Sequence, residues 1–118
     1  MLRRDDVVIV QFPFLDGTGG KKRPALVVQS DKKNRRLDHS MVAMITGNIT
    51  RTESVLTQLL IDPSESEGIS SGLSGQSAVK YEHLLTINQR DIHATIGHLP
   101  ATLLTKIDAC LKAAFDLK

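Results

Sequence analysis

Tryptophan is absent from this sequence, and aromatic residues of all kinds make up only 3% of it. With three phenylalanines and one tyrosine, the chain cannot build wide aromatic platforms on which nucleic-acid bases stack. Cys110 is the single cysteine, which excludes an intrachain disulfide, and its neighbours predict simple packing on a helix face. The four histidines lack the spacing of metal ligands, so neither a metal nor another cofactor is predicted.

Long apolar runs are also missing. Residues 7–10 and 41–45 are among the longest, and both fall far short of the roughly 20 residues that cross a membrane. The first residues lack the apolar segment of a secretory signal, so we expect a cytoplasmic protein without membrane contact. With 118 residues, 41% of them hydrophobic and 24% charged, the sequence predicts a single globular domain over residues 1–118.

Positive charge is concentrated in one part of the chain, although the net charge is only +2. Of the fifteen lysines and arginines, seven fall between residues 21 and 36. Such a cluster either neutralises the phosphates of a bound nucleic acid or forms a solvated basic loop. Composition alone leaves both interpretations open.

The hydrophobic pattern predicts a mainly β protein. Short apolar segments rich in β-branched residues and bounded by turn residues are typical of strands. The predicted strands are residues 6–12, 23–30, 41–45, 55–61, 77–81, 84–87 and 94–99. Residues 31–40 are polar and basic, which predicts a connecting loop, and the serine-rich and glycine-rich residues 62–76 predict a long, flexible surface loop.

Beyond Pro100 the period of the pattern changes. Leucine, isoleucine and phenylalanine recur at helical spacing between residues 103 and 115, and Pro100 suits a first helical turn. The prediction is therefore a compact, barrel-like sheet with a C-terminal helix packed against it.

Several segments, taken in order, resemble the MazF/PemK family of toxins. The landmarks are RDDV at 4–7, GGKKRPALVVQS at 19–30, MVAMIT at 41–46, Gly72-Leu73, Ser77, Val79, Thr86-Ile87, and KID at 106–108. The match extends over nearly the whole chain. One departure is Asp5, which stands where the family usually has glycine.

This resemblance implies a fold and an activity. Members adopt a small SH3-like β-barrel of the CcdB/PemK type with a C-terminal helix, form homodimers, and bind a cognate antitoxin protein. As growth-inhibiting toxins of type II toxin–antitoxin systems, many cleave single-stranded RNA at short sequences without a metal ion. In these mRNA interferases a 2′-hydroxyl attacks the adjacent phosphate, which leaves a 2′,3′-cyclic phosphate and a 5′-hydroxyl.

The resemblance also suggests catalytic residues. Arg23 and Thr46 match the family's functional arginine and threonine, and both side chains can donate hydrogen bonds to the charged phosphate oxygens of the transition state. We expect an electrostatic role for Arg23, because arginine holds its proton so tightly at neutral pH that proton transfer by it is costly. Glu82 either accepts the proton of the 2′-hydroxyl or pairs with Lys80 on the surface. The general base is uncertain, because Thr18 stands where some relatives have an acidic residue.

Substrate contacts are expected mainly from the basic segment and the first loop. Phosphate contacts position an RNA strand, whereas contacts to base edges specify its sequence. Phe14 is either a stacking residue or part of the core. The predicted RNA-binding residues are Phe14, Asp16, Thr18, Lys21, Lys22, His39, Arg51, Ser77 and Lys80.

Two other functions remain open at this stage. The first is a non-catalytic toxin on the same barrel that binds DNA gyrase, as the CcdB group does, and such a protein needs neither Arg23 nor Thr46. The second is an RNA-binding module that has lost nuclease activity, which Thr18 makes a reasonable alternative.

Overall fold

A computed structural model describes residues 2–11, 22–50 and 55–118 of the protein. It contains six strands, two α-helices and three short 3₁₀ turns. The strands are β1 (Asp6–Gln11), β2 (Lys22–Val27), β3 (His39–Thr46), β4 (Gln58–Ile61), β5 (Ser77–Asn88) and β6 (Ile92–His98). The helices are α1 (Asp31–Arg36) and α2 (Leu104–Phe115), and the 3₁₀ turns are Ile69–Ser71, Gln89–Asp91 and Ala101–Leu103.

The six strands form one antiparallel sheet in the order β4-β5-β3-β2-β1-β6. This arrangement confirms the predicted mainly β fold with a C-terminal helix. In the part of the chain that the structure describes, β4 and β6 are the two edges of the sheet, and they do not pair with each other to close a barrel.

Both faces of the central strands are buried. Successive side chains of a strand point to opposite faces, and Val7 and Val8 of β1 accordingly belong to two different apolar clusters. The first cluster packs against α2, and the second fills the opposite face. This explains why β1, β2 and β3 appear in the sequence as nearly continuous apolar runs instead of alternating ones.

Helix α2 covers the first cluster with one face. Leu103, Ile107 and Cys110 recur at three- and four-residue spacing and are buried, so the predicted helix and the packing role of Cys110 are confirmed. Burial also raises the pKa of the Cys110 thiol, which makes it a poor nucleophile. No helix in the described ranges is long and apolar enough to cross a membrane.

The prediction of a loop at residues 31–40 was wrong at both ends, because Asp31–Arg36 forms α1 and β3 begins at His39. Ser30 caps the helix by accepting a hydrogen bond from the Lys33 amide at 3.3 Å. Asp31 in the first turn and arginines in the last turn complement the helix dipole. The side chain of Asn34, which is buried, accepts hydrogen bonds from Gln29 and from Ser40 and so anchors the helix to the sheet.

The predicted strands at 77–81 and 84–87 are one twelve-residue strand, β5, so the prediction of two strands was wrong. The gap between them corresponds to an irregularity in the pairing with β3. Ala43 pairs with Leu84, whereas the next residue, Met44, pairs with Lys80. Residues 81–83 therefore bulge from the ladder, and such bulges turn individual side chains away from the regular alternation.

Residues 62–76 form the predicted connection between β4 and β5, and they include the turn Ile69–Ser71. The carboxylate of Asp62 fixes both ends of this segment. Its Oδ1 accepts hydrogen bonds from Ser64, and its Oδ2 accepts one from Gln76 at 3.0 Å.

Candidate functional site

Arg23 and Thr46 lie on neighbouring strands in the same register. Strands β2 and β3 are antiparallel. Ala25 lies opposite Met44, Leu26 opposite Ala43 and Val27 opposite Val42. Ala25 and Met44 are the last pair of this ladder, and Arg23 and Thr46 each lie two residues beyond it, so the same register, continued, would set them opposite each other. Residues separated by two in a strand share a face. Arg23 and Thr46 therefore project from the face of the second cluster, which is opposite to α2.

The hydroxyl of Thr46 is oriented by the turn that follows β3. Its oxygen accepts a hydrogen bond from the backbone N–H of Asn48 at 3.1 Å. The side-chain oxygen of Asn48 in turn accepts hydrogen bonds from the amide and hydroxyl of Thr50. A hydroxyl whose oxygen accepts in this way keeps its own hydrogen to donate, which is what a negatively charged phosphate oxygen requires.

Lys80 extends the same face onto β5. It pairs with Met44 on one side and with Gln58 of β4 on the other, and Ala78 pairs with Thr46. Because directly opposed residues share a face, Lys80 lies on the face that carries Arg23 and Thr46. Three candidate residues thus converge on one surface across β2, β3 and β5.

Glu82 lies in the β5 bulge, and its carboxylate is already engaged. Gln58 Nε2 donates a hydrogen bond to Glu82 Oε2 at 2.8 Å. Burial raises the pKa of Glu82, but hydrogen bonds from Gln58 and Thr57 and the charge of Lys80 outweigh it and hold that pKa below its usual value. Glu82 is therefore ionised at neutral pH, as a proton acceptor must be. Sequence reasoning missed Gln58, because its contact depends on the register of β4 against β5.

Lys22 lines a surface groove of about 720 Å³ at the C-terminal end of β1. Its Nζ is 3.4 Å from His93 Nε2 on β6. The floor of the groove includes Val10, which is the ladder partner of Arg23. No sequence pattern marks His93, which is an isolated histidine just before the predicted last strand and lies within β6.

Two other predicted binding residues lie apart from this face. His39 begins β3, seven residues from Thr46, which corresponds to about 23 Å along a strand. The Ser77 side chain is buried and donates a hydrogen bond to the carbonyl of Gly75 at 3.0 Å. In the ladder between β4 and β5, Ser77 lies opposite Ile61, which belongs to the first cluster. Ser77 is therefore on the α2 side of the sheet.

The remaining candidates lie outside the described residues. These are Phe14, Asp16, Thr18, Lys21 and Arg51. Among the residues that the structure does describe, no group of three or more histidine, cysteine, aspartate or glutamate side chains is arranged to hold a metal ion.

Similarity to known proteins covers almost the entire chain. A family model described as the PemK-like, MazF-like toxin of type II toxin–antitoxin systems matches residues 3–115. Endoribonuclease MazF6 of Mycobacterium tuberculosis (strain ATCC 25618 / H37Rv) is 32% identical over 98 residues, which cover 82% of this chain and 81% of that protein. Endoribonuclease EndoA of Bacillus subtilis (strain 168) is 28% identical over 118 residues, or 99% and 97% of the two chains.

Solved structures share the fold. The Mycobacterium tuberculosis toxin MazF-mt6 superposes with a TM-score of 0.77 at 25% identity, over 96% of this chain and 98% of that one. A mycobacterial endoribonuclease in complex with its cognate antitoxin also gives a TM-score of 0.77, over 100% and 98% of the chains. At 18% identity, the second likeness shows the fold alone.

Proposed function

The chain belongs to the PemK-like, MazF-like family of toxins of type II toxin–antitoxin systems, and we propose that it acts as a metal-independent endoribonuclease on single-stranded mRNA. The placement of Arg23 and Thr46 on one face of the sheet, each two residues beyond the Ala25–Met44 pair, supports this proposal most directly. The gyrase-binding alternative is not favoured, because the curated relatives are endoribonucleases and a gyrase binder needs no such pair.

The proposed reaction uses the convergent face as an anion site. The 2′-oxygen of one nucleotide bonds to the adjacent phosphorus while its proton passes to Glu82. The bond from phosphorus to the 5′-oxygen breaks, and that oxygen takes up a proton. Arg23 and Thr46 donate hydrogen bonds to the phosphate oxygens, whose negative charge grows in the transition state. The products are a 2′,3′-cyclic phosphate and a 5′-hydroxyl.

The same family membership supports the partners and the setting. The protein works in the cytoplasm as a homodimer of single-domain chains, and a cognate antitoxin inhibits it. An acidic, partly disordered antitoxin segment would cover the basic surface and fold as it binds. Binding that strengthens at low salt and weakens in a Lys22→Ala variant would support this model. Binding that is indifferent to both would contradict it.

One incubation separates the competing functions. Purified protein is mixed with single-stranded RNA in EDTA, and the fragment ends are analysed. We expect cleavage to proceed, with 2′,3′-cyclic phosphate and 5′-hydroxyl ends. Intact RNA would contradict the proposal, and intact RNA together with inhibition of DNA gyrase in a parallel supercoiling assay would favour the gyrase binder.

The hydrogen bond between Gln58 and Glu82 leads to a prediction about pH. Gln58→Leu removes a donor that favours the ionised carboxylate, so the pKa of Glu82 rises and the acidic limb of the pH–rate profile moves to higher pH. We expect kcat/KM to fall roughly two- to fivefold on that limb, equivalent to about 0.5–1 kcal/mol, and to recover at higher pH.

A matched control for this variant is Gln76→Leu, because Gln76 also donates an amide hydrogen bond to a carboxylate, Asp62, away from the candidate site. The control should leave the pH profile unchanged. An equal loss at every pH in the Gln58 variant would indicate a purely structural effect and would contradict a role for Glu82 as the base.

A further inference from the structure

The groove beside Lys22 combines an apolar floor with a cationic rim. Val10, Ile87 and Ile92 line the floor, and all three belong to the second cluster or pack against it. Lys22 and Arg90 line the rim. Its volume of about 720 Å³ falls in the range of roughly 300–1,000 Å³ that is typical of small-ligand sites.

Among the described residues, neither Lys22 nor Arg90 forms an ion pair with an acid. Asp91 also lines the groove. The ion pair in the described part of the chain does not involve it, because that pair joins Arg4 and Asp108. Lys22 Nζ lies 3.4 Å from Nε2 of His93, and this imidazole can accept a hydrogen bond only when it is neutral. The rim therefore presents positive charge to a ligand.

Hydrogen bonds from neighbouring residues fix the 3₁₀ turn that carries Arg90. The side chain of Asn88 accepts a hydrogen bond from the Arg90 amide at 3.1 Å and caps the 3₁₀ turn Gln89–Asp91. Gln89 Nε2 donates to the backbone carbonyls of Asn34 and Leu37 at 2.8 and 2.9 Å, which ties this turn to α1. Arg90 is thus held at a defined place on the rim.

The groove is continuous with the candidate catalytic face and extends away from it. Val10 on its floor is the ladder partner of Arg23. On the far side, Arg90 and Asn88 also line a second, smaller groove of about 490 Å³, which includes Arg35 of α1. Lys22, Arg90 and Arg35 therefore line two grooves that share Asn88 and Arg90.

We propose that this groove is a subsite for a nucleotide that flanks the cleaved phosphate, with its base on the apolar floor and its phosphate on Arg90. The inference rests on the proposed ribonuclease function, and it adds residues and a substrate position to it. A base has an apolar face and a phosphate carries a full negative charge, which matches the floor and the rim respectively. Single-stranded RNA is recognised through splayed bases of this kind.

The test uses an uncleavable RNA of known register. The cut sequence is first read from the fragments that the parent protein produces, and a fully 2′-O-methylated oligonucleotide containing it serves as the binding probe. Arg90→Ala is expected to weaken binding about fivefold and to reduce the slope of log K against log salt by about 0.7, the value for one phosphate contact in single strands. Because Arg90 does not touch the cleaved phosphate, KM should rise and kcat should stay unchanged.

A scan with neutral methylphosphonates locates the contact. At one position next to the cut, the replacement should weaken binding to the parent protein about fivefold and leave binding to Arg90→Ala unchanged, because the charge pair is already lost. Arg3→Ala removes an exposed arginine outside both grooves and outside the basic segment, and should behave like the parent.

The outcomes separate this inference from the proposed function. If the parent cleaves RNA, but the parent and Arg90→Ala show the same methylphosphonate pattern and salt slope, the proposed subsite is refuted and the proposed nuclease activity is supported. If the parent binds RNA with the expected Arg90 dependence and does not cleave it, the subsite stands and the nuclease is wrong. A loss of antitoxin affinity alone in the Arg90 variant would assign the groove to the antitoxin and overturn the inference.

Discussion

Replacement of Arg23 by alanine is expected to lower kcat for RNA cleavage by about 10²–10³-fold, the loss typical of removing one donor to a developing oxyanion. The guanidinium offers a planar fork of donors, and Arg23 shares a face of the sheet with Thr46, each two residues beyond the Ala25–Met44 pair. Single-turnover cleavage of a defined RNA, measured in EDTA, would give the rate of the chemical step.

Two variants make this result interpretable. Arg23→Lys keeps the charge and loses the fork, so its rate should lie between those of the parent and the alanine variant. Binding of an uncleavable RNA should change much less than kcat in both, because the interaction strengthens in the transition state. Cleavage by Arg23→Ala at the parental rate would show that the proposed site is not the catalytic one.

Replacement of Asp5 by glycine is expected to stabilise the protein by roughly 1–2 kcal/mol at pH 7. Asp5 has a φ of 70°, in the left-handed region that glycine adopts without a steric penalty. Its Oδ1 is buried without a hydrogen-bond partner among the described residues. The structure thereby gives a physical reason for the glycine that the family usually has at this position.

The gain from Asp5→Gly should depend on pH. Burial, and to a lesser extent the charges of Asp108 and Asp31, raise the pKa of Asp5 above its ordinary value of 3.8, although Arg4 opposes this. A carboxyl whose pKa is higher in the folded state contributes stability below the unfolded pKa and loses that contribution as the pH rises through the folded pKa. The difference between variant and parent should therefore be larger at pH 7 than near pH 4.

Urea unfolding at both pH values would measure this difference, with Asp5→Asn as the control. Asparagine removes the charge and keeps a side chain at positive φ, so its difference from the parent should change with pH as that of glycine does, while it recovers only part of the gain. A glycine variant that is less stable than the parent at pH 7 would contradict the strain argument.

Much of the fold could be predicted from the sequence, because periodicity reports which faces are buried. The polar helix α1 could not, since the segment DKKNRR has no apolar period to detect. Its signals were local ones: a serine cap at position 30, an acid in the first turn and bases in the last. The break that was predicted near residues 82–83 was real in the pairing, where β5 bulges, although the strand itself continues.

The candidate site was less accessible to sequence reasoning. Arg23 and Thr46 came from family resemblance, and only the register of β2 against β3 places them on one face of the sheet. The role of Gln58 depends on its contact with Glu82, which lies 24 residues away in the sequence. The role of Arg90 depends on the groove that it lines together with other segments. Register and groove walls are tertiary properties, so no local pattern encodes them.

The pairing of β1 with β6 also bears on the order of events during synthesis. Asp6 lies opposite His98, so β1 gains β6 as its second neighbour only after most of the chain has left the ribosome. The helix that covers the first apolar cluster emerges later still. Arg23 is laddered to β1, so the pair of strands that carries it gains its last neighbour, β6, only near the end of synthesis.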